Sequence, residues 1–86
     1  FIFIKMYYVY ILYSRTKDRY YVGYTHNIEI RLSKHNAGAT PSTRGGRPWE
    51  LVYSEEYIDK SSALFREREI KSKKSRKYIE HLVAKG

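Results

Sequence analysis

The sequence predicts an α/β (α+β) domain in which a small three-stranded sheet is flanked by helices. Two runs rich in tyrosine and valine come first, and a third β-type run begins at Trp49. The segments between and after these runs carry apolar residues at helical spacing, three or four positions apart. The predicted order is therefore β-β-α-β-α-α. Helices on one or both faces of the sheet are the simplest way to bury its apolar side chains.

The first two runs predict an antiparallel hairpin. Residues 7–13 read YYVYILY, a β-branched and aromatic composition typical of a buried strand. Residues 20–25 read YYVGYT and contain Gly23, which can mark a bulge or a close approach of another group. The polar segment SRTKDR between the two runs is short enough to form the turn of a hairpin.

The first helix and the third strand follow from capping and periodicity. Asn27 can cap a helix over residues 28–36, whose buried face would carry Ile28 and Leu32. The segment after that helix is rich in Gly, Ser and Thr and is predicted as a loop. Alternation of apolar and polar residues then predicts the third strand over Trp49–Tyr57.

Two helices are predicted at the C-terminal end. Asp59 or Ser61 can cap a helix over residues 62–73, and the basic run KSKKSRK at its end predicts a break or a frayed turn. A last short helix over residues 78–84 would turn Ile79 and its neighbours inward. Residues 1–5 precede Met6 and are predicted to be an extension, which leaves residues 6–86 as the domain.

The charge of the chain favours a polyanionic partner. Seventeen Lys and Arg residues outnumber nine Asp and Glu, for a net charge of +8. From residue 60 onward, nine Lys or Arg face three Glu. A small basic domain of this kind suggests nucleic acid as the binding partner, although a high net charge also favours solubility.

Other classes of function are excluded by composition. The chain has no cysteine, so a disulfide scaffold, a thiolate metal site and a cysteine nucleophile are excluded. This composition fits a cytoplasmic protein. No apolar run approaches the roughly 20 residues that span a bilayer, so no membrane segment is expected.

The two tyrosine-rich strands resemble the two halves of the GIY-YIG nuclease motif. Tyr8-Val9-Tyr10 matches the first half, with Tyr8 in place of its glycine, and Tyr21-Val22-Gly23 matches the second, with valine for isoleucine. Arg31, His35 and Asn36 match the helix that follows this motif in the family, and Glu67 matches the acidic residue of a later helix. The resemblance covers about residues 7–83 and is closest to small stand-alone bacterial members.

The resemblance implies a metal-dependent endonuclease that hydrolyses phosphodiester bonds, with DNA as the favoured substrate. Glu67 would hold Mg²⁺ or Mn²⁺, because one carboxylate suffices when water and phosphate supply the other ligands. Arg31 would neutralise a phosphate oxygen. Tyr21 is the first choice for the general base and Tyr10 would orient the water or phosphate, although the sequence does not separate these roles. His35 would hydrogen-bond a tyrosine hydroxyl or a phosphate.

Further expectations concern the substrate and the geometry. Gly23, Lys71 and Lys74 are predicted to contact the substrate. The five residues assigned to the reaction should converge on one concave surface, because they must surround a single phosphate. The resemblance also implies a role in DNA repair or recombination and a protein partner for targeting, and the oligomeric state stays open.

Simpler interpretations stand beside the catalytic one. Strand tyrosines usually pack rather than react, and Glu67 could pair with Lys71 one helical turn away. A non-catalytic nucleic-acid-binding module with the same fold, gripping through its basic C-terminal third, is the main alternative; a protein-interaction adaptor is a further class. The acidic residues Glu55, Glu56 and Asp59 could suggest a second metal site, and a solvated loop is preferred for them.

Overall fold

The computed structural model describes residues 5–86, so most of the predicted extension over residues 1–5 lies outside the described part. The chain order of the elements confirms the predicted arrangement and adds one short helix, α2. In chain order the elements are β1 (Tyr7–Ser14), β2 (Arg19–Thr25), α1 (Ile28–Asn36), α2 (Pro41–Arg44), β3 (Trp49–Tyr57), α3 (Lys60–Ser72) and α4 (Arg76–Lys85).

The three strands form one antiparallel sheet in the order β2-β1-β3. β1 and β2 are joined as the predicted hairpin, with Tyr10 opposite Gly23 and Leu12 opposite Tyr21. β3 pairs with the other edge of β1, and its register shifts by one residue between Ile11 and Leu12. The most apolar run of the sequence thus supplies the central strand, whose residues 9–12 are fully or almost fully buried.

Alternation along β1 separates the core into two layers. Val9 and Ile11 pack toward α3 and α4, against Ala63, Ile70 and Leu82. On the opposite face, Tyr10 and Leu12 form a smaller cluster with Trp49, which α1 covers through Ile28 and Leu32. Side chains alternate between the faces of a strand, so a single tyrosine-rich strand serves both layers, and helices lie on both faces as expected.

Capping residues define where the helices begin. The Asn27 side chain accepts a hydrogen bond from the backbone of Ile30, as predicted, and Asp59 rather than Ser61 caps α3 by accepting from Ser62 N. Ser75 caps α4, which therefore begins two residues before the predicted start. Within residues 5–86, no helix is both long enough and apolar enough to cross a membrane.

Glu55 corrects the expectation of a solvated acidic loop. It lies inside β3 and accepts hydrogen bonds from Arg66 of α3 at 2.9 and 3.1 Å. The hydroxyls of Tyr53 and Tyr57 donate to the same carboxylate, the latter at 2.5 Å. Arg66 also donates to Glu69 and to the Tyr78 hydroxyl of α4. This group, the Glu55–Arg66 clamp, fastens β3 to both C-terminal helices.

Candidate active site

Tyr10 is seated against Gly23 of the neighbouring strand. The two residues are paired across β1 and β2, and a Cβ placed on Gly23 would lie only 2.5 Å from the Tyr10 hydroxyl oxygen. Only a residue without a side chain leaves room for the phenol ring there. The space beside Gly23 is therefore filled by Tyr10, and a contact of Gly23 with substrate stays a prediction.

The Tyr10 hydroxyl belongs to a buried chain of hydrogen bonds. Its oxygen lies 3.0 Å from His35 Nε2, and His35 Nδ1 lies 2.8 Å from the Thr43 hydroxyl. The Thr43 hydroxyl also lies 3.3 Å from the Thr40 carbonyl, to which it can donate its single proton. In that arrangement Nδ1 donates to Thr43 and Nε2 accepts the proton of Tyr10. The direction of the Thr43 hydroxyl is therefore linked to the tautomer of His35.

Burial sets the protonation of this chain. His35 is 0% exposed, and desolvation followed by the nearby charge of Arg31 lowers its pKa below the ordinary value. Desolvation also raises the pKa of the Tyr10 phenol, with Tyr21 and Glu67 adding to the shift and Arg31 opposing it. Tyr10 and His35 are therefore both neutral near pH 7, with the proton on Tyr10.

Tyr21 lies at the centre of the remaining site residues. Its ring centroid is 5.0 Å from that of His35, 6.4 Å from that of Tyr10 and 6.3 Å from that of Trp49. Tyr21 is half-buried, whereas Tyr10 is only 2% exposed. Of the two predicted tyrosines, Tyr21 is therefore the one that a substrate or a water molecule can approach.

Arg31 and Glu67 approach the tyrosines from two different helices. The guanidinium of Arg31 lies beside the hydroxyls of Tyr10 and Tyr21, which raise its pKa. Glu67 of α3 is held by Lys71, with 3.5 Å between its carboxylate and the ammonium nitrogen. That ammonium nitrogen also lies 5.8 Å from the Tyr21 ring centroid. Lys71 therefore joins Glu67 to the tyrosine cluster.

The metal-ligating capacity of this site rests on one carboxylate. Within residues 5–86, no group of three or more His, Asp or Glu side chains is placed to hold a metal ion. Glu67 offers hard oxygen atoms on a side chain that is 12% exposed. This donor set fits Mg²⁺ or Mn²⁺, which accept one carboxylate together with water and phosphate oxygens.

Two residues that position the site were missed as functional residues in the sequence. Thr43 lies on α2, where a loop was predicted, and it orients His35. Trp49 Nε1 donates to the Thr43 carbonyl at 2.6 Å. The Thr40-Pro41 pair was the available signal, since proline is favoured in the first turn of a helix.

Asn36 explains how β3 is attached to α1. Its side-chain amide donates to the Trp49 carbonyl at 3.0 Å, and its oxygen accepts from Trp49 N at 2.6 Å. A side-chain amide has one donor and one acceptor end. The two hydrogen bonds of Asn36 to the Trp49 backbone therefore resemble the pair of backbone bonds between two antiparallel strands. Asn36 therefore has a structural role in placing Trp49 against the tyrosines.

The basic C-terminal third is partly neutralised within the molecule. Arg76 pairs with Asp18 at 2.6 Å and with Glu80 at 3.1 Å, and Arg66 is held by Glu55. Lys74 is exposed after the end of α3 and forms no ion pair within residues 5–86. The structure therefore brings Lys71 to the tyrosine cluster, and a contact of Lys74 with substrate stays a prediction.

Similar proteins share this sequence over most of its length. Residues 6–79 match the GIY-YIG catalytic domain. A UPF0213 protein of Natronomonas pharaonis is 49% identical over 78 residues, covering 90% of this chain and 89% of that protein. A UPF0213 protein of Staphylococcus haemolyticus is 48% identical over 67 residues, covering 76% of this chain and 79% of that protein.

A solved structure shares the fold. The solution NMR structure of a UPF0213 protein from Bacillus halodurans superimposes with a TM-score of 0.58 at 36% sequence identity. The match covers 92% of this chain and 83% of that one. The resemblance in the two tyrosine-rich strands is confirmed, and the chain belongs to the GIY-YIG nuclease family.

Proposed function

We propose that this protein is a divalent-metal-dependent endonuclease that hydrolyses phosphodiester bonds of nucleic acid, with DNA as its substrate. The observation that supports this most directly is the grouping of Tyr10, Tyr21, His35 and Arg31, which come from two strands and a helix. A structural core does not need a half-buried guanidinium beside a buried histidine and two phenols. A phosphate between them would meet donors and a base together.

Tyr21 acts as the general base in this proposal. A base must reach the attacking water, and Tyr21 is accessible whereas the Tyr10 hydroxyl is already committed to His35 Nε2. Tyr10 then has a positioning role, in which His35 and Thr43 hold its ring and its hydroxyl in one orientation. The sequence left these two roles open, and accessibility is the reason for the choice.

Arg31 and Glu67 supply the electrostatic part of the reaction. The forked guanidinium of Arg31 can hold two oxygens of a phosphate while charge develops on it. Glu67 would hold Mg²⁺ or Mn²⁺, and the bound cation would neutralise charge on the phosphate. Lys71 would then move from Glu67 toward the substrate, because the cation replaces it as the partner of the carboxylate.

A screen for cleavage tests this proposal. Wild type and Glu67→Gln are incubated with Mg²⁺ or Mn²⁺ and with single-stranded, duplex, nicked and branched DNA, and with matched RNA. Wild type should cleave at least one DNA substrate, and Glu67→Gln should lose cleavage while keeping its fold. Equal cleavage by both proteins would contradict the role of Glu67.

The same screen distinguishes the enzyme from the main alternative, a non-catalytic binding module. Salt-sensitive binding by wild type without cleavage of any substrate would favour a nucleic-acid-binding module. Preference for branched or nicked DNA would fit repair or recombination. We expect the protein to work in the cytoplasm, and we expect a protein partner to direct it to its target.

A further inference from the structure

A cationic cleft lies next to Arg31 of the candidate active site, at the end of the sheet where both α1 and α3 begin. It has a volume of about 400 Å³. Aromatic side chains of β1 and β2, residues from the first two turns of α1 and the first residue of α3 form its walls. Its Lys, Arg and Tyr lining residues among those the structure describes are Lys5, Tyr7, Tyr24, Arg31, Lys34 and Lys60.

The charge of this cleft is of one sign. Four of its lining residues are Lys or Arg, and no Asp or Glu is among the described ones. Arg31, Lys34 and Lys60 form no ion pair within residues 5–86, in contrast to Arg66 and Arg76. Cations that are left unpaired around a concave surface concentrate the positive potential there.

Two further features of the cleft suit a nucleotide, one for its phosphate and one for its sugar or base. α1 and α3 both begin at this cleft, with Asn27 as the cap of α1 and Lys60 as the first residue of α3. Helix N-termini carry partial positive charge that favours anions. Tyr7 and Tyr24 add aromatic surface, on which a sugar or a base can pack.

Arg31 joins the cleft to the candidate active site. It lines the cleft, and it also lies beside the hydroxyls of Tyr10 and Tyr21. A strand whose phosphate is held by Arg31 at the tyrosines would continue into one of the spaces next to that arginine. Of these, the cleft offers unpaired cations to the next phosphates.

We propose that this cleft is a subsite for the non-scissile phosphates of the nucleic-acid strand, next to the phosphate that Arg31 would hold at the tyrosines. This inference rests on the proposed function for the direction of the strand. Lys34 and Lys60 contact the phosphates, and Tyr24 packs against the adjoining nucleotide. The subsite gives affinity and register without taking part in bond cleavage.

Salt-dependent binding tests the subsite independently of catalysis. Binding of labelled duplex and single-stranded DNA is measured by fluorescence anisotropy in EDTA across a salt series. The cleft variant Lys34→Gln/Lys60→Gln is compared with the control variant Lys17→Gln/Lys85→Gln, which removes the same charge from exposed positions outside the cleft. Each phosphate contact contributes about 0.9 to the slope of log K against log salt for duplex DNA.

The slope of the cleft variant should fall by roughly one to two relative to wild type, and that of the control should stay close to wild type. Equal slopes for the two variants, or no binding by wild type at low salt, would overturn the subsite. Displacement of DNA by an equal concentration of polyglutamate would overturn its assignment to nucleic acid. Cleavage by wild type is measured separately, so a subsite without cleavage and cleavage without a subsite are distinguishable outcomes.

Discussion

The hydrogen-bond chain from Tyr10 to Thr40 shows how single residues determine protonation in this protein. A free histidine exchanges between tautomers, whereas the tautomer of the buried His35 is linked to the direction of the Thr43 hydroxyl. When Thr43 donates to the Thr40 carbonyl, Tyr10 donates its proton to His35 Nε2.

Removing single hydroxyl groups should distinguish the catalytic role of Tyr21 from the positioning role of Tyr10. Tyr21→Phe should lower cleavage by about 100- to 10,000-fold, the usual contribution of a general base, with stability near that of wild type. Tyr10→Phe leaves the buried Nε2 of His35 without its hydrogen-bond partner and should destabilise the fold by about 1–3 kcal/mol. Urea unfolding and cleavage rates of both variants check this; an equally destabilised Tyr21→Phe would contradict the assignment.

Gly23→Ala should disturb Tyr10 without changing a polar group. The added Cβ would lie 2.5 Å from the Tyr10 hydroxyl oxygen, and the buried ring has little room to move. Overpacking of this kind costs about 1–3 kcal/mol. Gly45→Ala is the matched control, because a Cβ there has no atom within 4 Å. Denaturant midpoints should fall for Gly23→Ala and stay constant for Gly45→Ala.

The lowered pKa of His35 predicts how stability depends on pH. A histidine that is less basic in the folded state binds its proton more readily when unfolded, so acid favours unfolding. Its contribution should be complete above the unfolded pKa of about 6.5. It should be lost as the pH falls through the lower folded value. In His35→Gln the free energy of unfolding should vary less with pH just below 6.5, as measured by urea titrations at several pH values.

At the scale of elements, the Glu55–Arg66 clamp connects three of them. Burial alone would raise the pKa of Glu55, but hydrogen bonds from Arg66, Tyr53 and Tyr57 together lower it. Burial, and then the bond to Glu55, raises the pKa of Tyr57 to about 12. Both charged side chains are 18% exposed, so the pair is screened less than a surface ion pair.

A double-mutant cycle measures the clamp. Glu55→Gln, Arg66→Gln and the double variant should give a coupling free energy of about 1–3 kcal/mol, because each single change leaves a partly buried charge without its partner. Arg15 and Glu50 form a pair that is 83% and 54% exposed, with 3.7 Å between the charged atoms. The same cycle there should give about 0.5 kcal/mol or less; equal coupling in both cycles would argue against the clamp.

Elements with strong local signals could be predicted, and those that depend on distant partners could not. The tyrosine-rich strands and β3 have periodic patterns, so β3 was placed at its observed bounds. α2 has four residues, too few for a periodic signal. Glu55 was missed as a structural residue because its partner Arg66 lies on another element. Ser75 was missed as a cap because the basic run KSKKSRK that contains it was interpreted as a break or a frayed turn.

In the candidate site, too, residues with a local sequence signal could be predicted and those that depend on distant partners could not. Tyr10, Tyr21 and His35 could be selected from the family motif, and they contact one another. Thr43 carries no such motif, and its effect comes from its hydrogen bond to a residue eight positions earlier. Roles that depend on hydrogen-bond direction require coordinates, since a sequence does not record which end of an imidazole meets which neighbour.

Metal binding should be visible in the stability of the whole molecule. An ion that binds the folded chain through Glu67 raises the free energy of unfolding in proportion to the logarithm of its concentration. The melting temperature of wild type should therefore rise with Mn²⁺ or Mg²⁺, and that of Glu67→Gln should not. Calcium-free buffer and a Glu80→Gln control, at an exposed carboxylate of α4, guard against general ionic effects. Equal rises in all three proteins would exclude Glu67 as the ligand.

The position of β1 also matters while the chain is being synthesised. β1 is the central strand, but it emerges from the ribosome before both of its neighbours. β2 follows at once and can close the hairpin, whereas β3 begins only at Trp49. Until then the nascent chain presents an apolar strand edge without a partner, the kind of edge that pairs with other chains. We therefore expect the nascent chain to be most prone to aggregation after β2 has been synthesised at residue 25 and before β3 begins at residue 49.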